Sequence, residues 1–199
     1  MNKRVVTIAS AGALAVVAVG AGLYITSAPA FEPVGMPAPE RLGGPFTLTN
    51  EAGEPFGTDD LIGNGALVFF GFTYCPDVCP TELARGAQVV DQLAEADISV
   101  TPVFITIDPE RDTPEQIGDY VSLFHEDMVG LTGTADEIAS VADDYGVFYS
   151  RVEMEDSSDY LMDHTSFVYL LDPTGSLVWM FRPTDLVESI SETIRQAAG

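Results

Sequence analysis

Ala66-Leu67-Val68-Phe69-Phe70-Gly71-Phe72, followed directly by Thr73-Tyr74-Cys75-Pro76-Asp77-Val78-Cys79-Pro80, is the stretch from which the fold can be read. The first seven residues carry no charge and are rich in Phe, which predicts a strand of ordinary length, buried on both faces and central to its sheet. Beyond the second Cys, residues 81–96 place Leu83, Ala87, Val90, Leu93 and Ala94 at helical spacing, so both cysteines sit where a central strand hands over to a helix. Strand ends facing a helix N-terminus are where open α/β sheets place their sites.

Working outward, residues 98–107 form a second buried strand. Thr113-Pro114-Glu115-Gln116 then opens a helix, with Thr as N-cap, Pro in the first turn and Gln at the capping-box position, running to about Phe124. A short strand at 128–131, a helix at 136–145, strands at 165–171 and 177–181 and a closing helix at 185–198 complete the pattern. Asp172-Pro173-Thr174-Gly175 supplies the hairpin turn between the last two strands. Upstream, Phe46-Thr47-Leu48-Thr49 and Pro55-Phe56 flank a Gly-containing turn and read as a hairpin. Crossovers followed by a final hairpin predict an α/β fold, a mixed sheet with helices on both faces, and a thioredoxin-like sandwich fits that order.

The 199 residues suffice for one domain, and 46% hydrophobic residues provide a sizeable core despite a net charge of −23. So negative a surface repels phosphate backbones, which excludes nucleic acid as a partner. At the amino end Lys3 and Arg4 precede a charge-free apolar run, 5–25, whose 21 residues would span roughly 31 Å as a helix, about one bilayer core. The positive-inside rule leaves everything after it outside the cytoplasm. The expected organisation is a membrane anchor or signal at 1–27, a Pro- and Gly-rich extended tether at 28–44, and a globular domain at 45–199. A single-pass anchor of this orientation places the domain on the outer face of the cytoplasmic membrane.

Cys75 and Cys79 are the only cysteines, and His125 and His164 the only histidines, so a three-histidine or four-cysteine metal site is excluded by counting. On a helical turn, cysteines at i and i+4 share a face, where both sulfurs can meet one metal ion or each other. The helix N-terminus favours the thiolate, the form that binds metals and attacks disulfides. A plain disulfide closing so small a loop contributes little entropy. Asp163-His164-Thr165-Ser166 precedes an apolar strand that, in a thioredoxin-like sheet, lies beside the Cys-bearing one and can bring His164 to the sulfurs. Two thiolates and one imidazole suit Cu(I), and hold Cu(II) with an added oxygen ligand. Zinc needs a fourth ligand, for which Asp77 and Asp163, each close to a ligand in sequence, are the candidates. His125, beside Glu126 and Asp127, reads as a solvated helix end. The 108–112 segment reads as an ordinary strand-to-helix loop, and the acidic residues between Glu153 and Asp163 as a solvated loop.

Taken together, 71–80, 107–114 (Ile-Asp-Pro-Glu-Arg-Asp-Thr-Pro), Leu131-Thr132-Gly133-Thr134 and Asp163-His164-Thr165 closely resemble the Sco/SenC family of copper-binding cytochrome c oxidase assembly proteins. The similarity runs in consistent order from about Phe46 to Ala197. It implies a membrane-anchored, thioredoxin-like domain in the bacterial periplasm, whose Cys75, Cys79 and His164 bind copper as Cu(I) and Cu(II). The implied partner is the CuA centre of cytochrome c oxidase subunit II, to which a metallochaperone without turnover would deliver the metal. Tyr74 departs from the family, many of whose members carry His there. A competing function is thiol:disulfide exchange, in which redox-active Cys75 and Cys79 keep the CuA cysteines reduced. A third is a peroxide-reducing or redox-sensing enzyme. Neither needs His164.

Overall fold

An eight-stranded mixed sheet organises the residues that the computed structural model describes, 32–154 and 159–198. In chain order the strands are β1 (Met36–Pro37), β2 (Thr47–Asn50), β3 (Pro55–Gly57), β4 (Ala66–Gly71), β5 (Thr101–Thr106), β6 (Val129–Thr132), β7 (Tyr149–Glu153), β8 (Tyr160–His164), β9 (Val168–Leu171) and β10 (Leu177–Phe181). The helices are α1 (Val78–Ala94), α2 (Pro114–Val121), α3 (Ala135–Asp144) and α4 (Val187–Ala198). The large sheet runs β1-β10-β9-β4-β5-β6-β2-β3, with β4, β5 and β6 mutually parallel and the other pairings antiparallel. β7 and β8 form a separate two-stranded ribbon.

All six residues of β4 are buried, as are five of six in β5, which is why these strands read as continuous apolar runs. Alternation along β4 splits the core between two faces. Leu67 and Phe69 line a small internal gap with Leu83 of α1. Phe70 instead meets Tyr145, at the end of α3, with ring centroids 5.6 Å apart, and Tyr169 of β9 at the same separation. Helices therefore cover both faces, as the element order requires. The N-cap hydroxyl of Thr113 accepts from the Gln116 amide as its spacing predicts, and Thr134 does the same with Glu137. Gly146 follows α3 at φ +66°, the left-handed conformation that ends a helix most cheaply with glycine.

Several elements differ from the sequence reading. The strand expected at 165–171 begins only at Val168, and His164 closes β8 instead of preceding β9. The segment read as a solvated acidic loop contributes the last residue of β7 and four of the five residues of β8, Tyr160 to Asp163. Within the expected tether, Met36–Pro37 pairs with β10 as the last strand of the sheet. His125 is a packed residue, 14% exposed, with Nε2 at 3.4 Å from Asp91 of α1 and Nδ1 accepting from the Asp127 amide. The apolar run at 5–25 lies outside the described residues, and among those described no helix is long and apolar enough to cross a membrane.

Candidate metal centre

Gly71 is the last residue of β4, and the chain leaves the sheet there to pass over the N-terminus of α1. The Cys75 amide donates to the Phe72 carbonyl, tightening the loop, and the Cys79 amide in the first turn of α1 donates to Cys75 Sγ at 3.4 Å. Both cysteines are free thiols. They are not equivalent, since Cys79 is fully buried and Cys75 partly exposed.

Cys79 lies against the strand end so closely that glycine is required at 71. An added Cβ there would stand 2.8 Å from Cys79 Sγ and 3.0 Å from ring atoms of both Phe104 and Phe69. The expected lowering of the thiol pKa by the helix end does not prevail at Cys79. Burial pushes this thiol well up, opposed only in part by a hydrogen bond from the Phe72 backbone. In the absence of a cation the pair therefore keeps a proton on Cys79, which any metal ligated by this sulfur would have to displace.

The ribbon delivers the histidine. His164 Nδ1 faces the Thr165 carbonyl at 2.9 Å, and because a carbonyl can only accept, Nδ1 carries the ring proton. That fixes Nε2 as the free lone pair, which meets Cys79 Sγ at 3.5 Å and accepts from its thiol. Phe69 and Phe72 stand edge-on to the imidazole, each at 6.0 Å between centroids. Burial lowers the His164 pKa, against the Thr165 carbonyl and the Asp163 charge, so the ring is held in its neutral, ligating form.

Cys75, Cys79 and His164 thus offer ligand atoms that all lie within 4.8 Å of one another, near the ~4 Å spacing expected of donors sharing one ion. Asp77 and Asp163 do not belong to this group, and both are exposed. The donor set is soft and three-fold, and among the described residues no carboxylate joins it to complete a tetrahedral zinc site.

The 108–112 loop is more than loop geometry. Asp112 is fully buried, and its carboxylate accepts from the Thr73 amide at 3.0 Å and from the hydroxyls of Thr73 and Thr106, each at 2.6 Å. Burial raises its pKa and these donors oppose the rise. Asp108, 3% exposed, accepts from Arg111 and from the Tyr160 hydroxyl. Nothing in the local sequence separates a buried aspartate from a solvated loop aspartate. The nearest signal is two Asp residues bracketing an Arg directly after an apolar strand.

With the geometry in place, comparison with known proteins gives its context. A family model described as SCO1/SenC matches residues 34–199. The SCO2-like protein of Rickettsia felis is 42% identical over 156 residues, which cover 78% of this chain and 76% of that protein. The mitochondrial SCO1 homolog of Homo sapiens is 44% identical over 160 residues, where the match spans 77% of this chain but only 53% of the human protein. Among solved structures, copper-bound ScoI of Arabidopsis thaliana superposes with a TM-score of 0.74 at 42% identity, over 78% of this chain and 99% of that one. Copper-bound yeast Sco1 gives 0.73 at 36% identity, over 79% and 88%. The family match over nearly all of the described residues, at such identities and with the same fold, makes this chain a member of the SCO1/SenC family.

Proposed function

We propose that this protein binds one copper ion through Cys75, Cys79 and His164 and delivers it to the CuA centre of cytochrome c oxidase subunit II during oxidase assembly. The observation that carries this reading is the convergence of two thiols and the free imidazole nitrogen from segments 85 residues apart. Two relatives of the same fold, at 42% and 36% identity, are copper-bound. The apolar segment 5–25 would hold the domain on the periplasmic face of the bacterial inner membrane, where an oxidase exposes its CuA domain.

Copper has an open and a closed side in this arrangement. Cys75 and His164 are partly exposed, whereas Cys79 is buried beneath them. A partner's donor atom would reach a bound copper past Cys75 or His164, and buried Cys79 would hold it from the closed side. Two thiolates and an imidazole stabilise Cu(I), while an oxygen ligand entering on the exposed side accommodates Cu(II).

Metal analysis and Cu(I) titration of the reduced protein test the reading. One copper per chain is expected, with Cys75→Ala, Cys79→Ala and His164→Ala each weakening it; unchanged affinity in the His164 variant removes that residue from the site. In cells, loss of the protein should abolish CuA-type oxidase activity, and added copper should partly restore it.

A second reading, thiol:disulfide exchange with the CuA cysteines, is favoured by the inequality of the pair. On this reading the partly exposed Cys75, whose sulfur receives the Cys79 amide, acts as the attacking thiol and buried Cys79 as the resolving one. It predicts that His164→Ala cells keep full oxidase activity at ordinary copper levels, where delivery predicts loss.

A further inference from the structure

The two halves of the metal centre belong to parts of the fold that share no strand ladder. Cys75 and Cys79 follow β4 of the large sheet, whereas His164 ends a ribbon that, among the described residues, pairs with no strand of that sheet. A lone two-stranded ribbon is marginally stable in water, so something else must set where its histidine stands.

At the opposite end of β8 from His164, Tyr160 is pinned on every side. Its hydroxyl donates to Asp108 at 2.8 Å, and its carbonyl accepts from Arg111 Nη1 at 3.0 Å. The Arg111 guanidinium lies 3.6 Å from the centre of its ring, and Arg151 lies at the same distance. Arg111 is itself held by Asp108 and reaches across to Tyr74, the residue before Cys75, at 4.6 Å from that ring. Two of only eight Lys and Arg residues in the chain are committed to this stack. The same loop turns its other end to the cysteines, where Asp112 holds both the amide and the hydroxyl of Thr73.

We propose that the 108–112 loop is the spacer that sets the distance between His164 and the cysteine pair, with Asp108 and Arg111 gripping the histidine ribbon and Asp112 gripping the cysteine loop. These are positioning residues that act on the metal through His164 and Thr73. The proposal rests on the three-ligand copper reading given above. Arg suits the task where Lys would not, because only a planar guanidinium can stack on a ring while donating to a carboxylate and a carbonyl in its own plane.

The experiment compares wild type, Arg111→Met and His164→Ala in the full chain, by Cu(I) affinity and by the Cu(II) absorption and electron paramagnetic resonance spectra. Circular dichroism first establishes that each variant is folded. Arg111→Met should lose about 10- to 100-fold in Cu(I) affinity, the range seen when a residue supporting a metal ligand is removed. Its Cu(II) spectrum should lose the nitrogen coupling, and added imidazole should restore it, as in His164→Ala. General loosening of the fold would not produce rescue by imidazole. Wild-type affinity and spectrum in Arg111→Met, beside a clear loss in His164→Ala, would overturn the proposal; no loss in His164→Ala would overturn the copper reading instead. If Arg111→Met does not fold, Tyr160→Phe, which removes only the hydroxyl bond to Asp108, decides by the same readings with a smaller shift.

Discussion

Replacing Gly71 by Ala adds one methyl group at the point where the central strand meets the buried thiol. The added carbon would lie 2.8 Å from Cys79 Sγ, whereas relaxed carbon contacts fall at roughly 3.5–4.0 Å, so the sulfur must retreat by about 0.7–1.2 Å or the strand end must move. Phe104 and Phe69 close the other directions at 3.0 Å. Overpacking of this kind costs about 1–3 kcal/mol. With a urea m-value of about 2 kcal/mol/M, the unfolding midpoint should fall by about 1 M while the slope stays constant. Metal binding should suffer as well, since a functional site tolerates only about 0.5 Å of displacement in its ligands. The assay is urea unfolding of reduced, chelator-treated protein, repeated in a Cys79→Ala background. Removing the sulfur relieves one of the three contacts, so Gly71→Ala should cost less there, and the difference measures the coupling. An unchanged midpoint with unchanged copper affinity, or equal costs in both backgrounds, would refute the steric argument.

Oxidised protein, with Cys75 and Cys79 joined, should fail to take up Cu(I), because both thiolates are consumed; equal stoichiometry before and after reduction would exclude the pair as ligands. Glu82, 5% exposed in α1, has its pKa raised above the usual 4.5 by burial, despite its ion pair with Arg85. The folded state then keeps its proton longer than the unfolded chain, and the stability this contributes is complete below the ordinary value and lost as pH rises through the folded one. Glu82→Gln, which does not ionise, should therefore gain on wild type as pH rises above the ordinary glutamate value, and parallel stability curves would show that burial does not govern this group. Thr113→Ala removes the N-cap of α2 and should cost about 1 kcal/mol by urea unfolding, with Thr113→Ser nearly neutral.

The parallel core was legible because its residues obey one rule at a time. The apolar run of β4, the spacing of Leu83, Val90 and Leu93, and the Thr113–Gln116 cap each report a local requirement that the fold satisfies. The three proposed ligands were legible for a different reason, scarcity, since the chain has only two cysteines and two histidines to choose from. What escaped was set by long-range contacts. Tyr149, Arg151 and Glu153 alternate with Ser150 and Val152 in a strand whose pairing partner is tied through Tyr160 to the 108–112 loop, a contact that its own composition does not signal. The burial of Asp112 depends on Thr73 and Thr106, residues 39 and 6 positions away, and leaves no mark on its immediate neighbours. His125 was misread because Asp91, which it meets, lies in another helix.

The two rims of the large sheet limit how this protein can associate. At one rim β1 is only two residues long and ends in Pro37; at the other β3 is three residues long and begins with Pro55. Proline has no amide hydrogen to offer an arriving strand, and short edges give it little to register against. Neither rim can template growth of the sheet into a second molecule, even where many copies crowd together. The large sheet therefore meets a partner through side chains and loops, and contacts made that way separate again without any ladder of that sheet having to unzip.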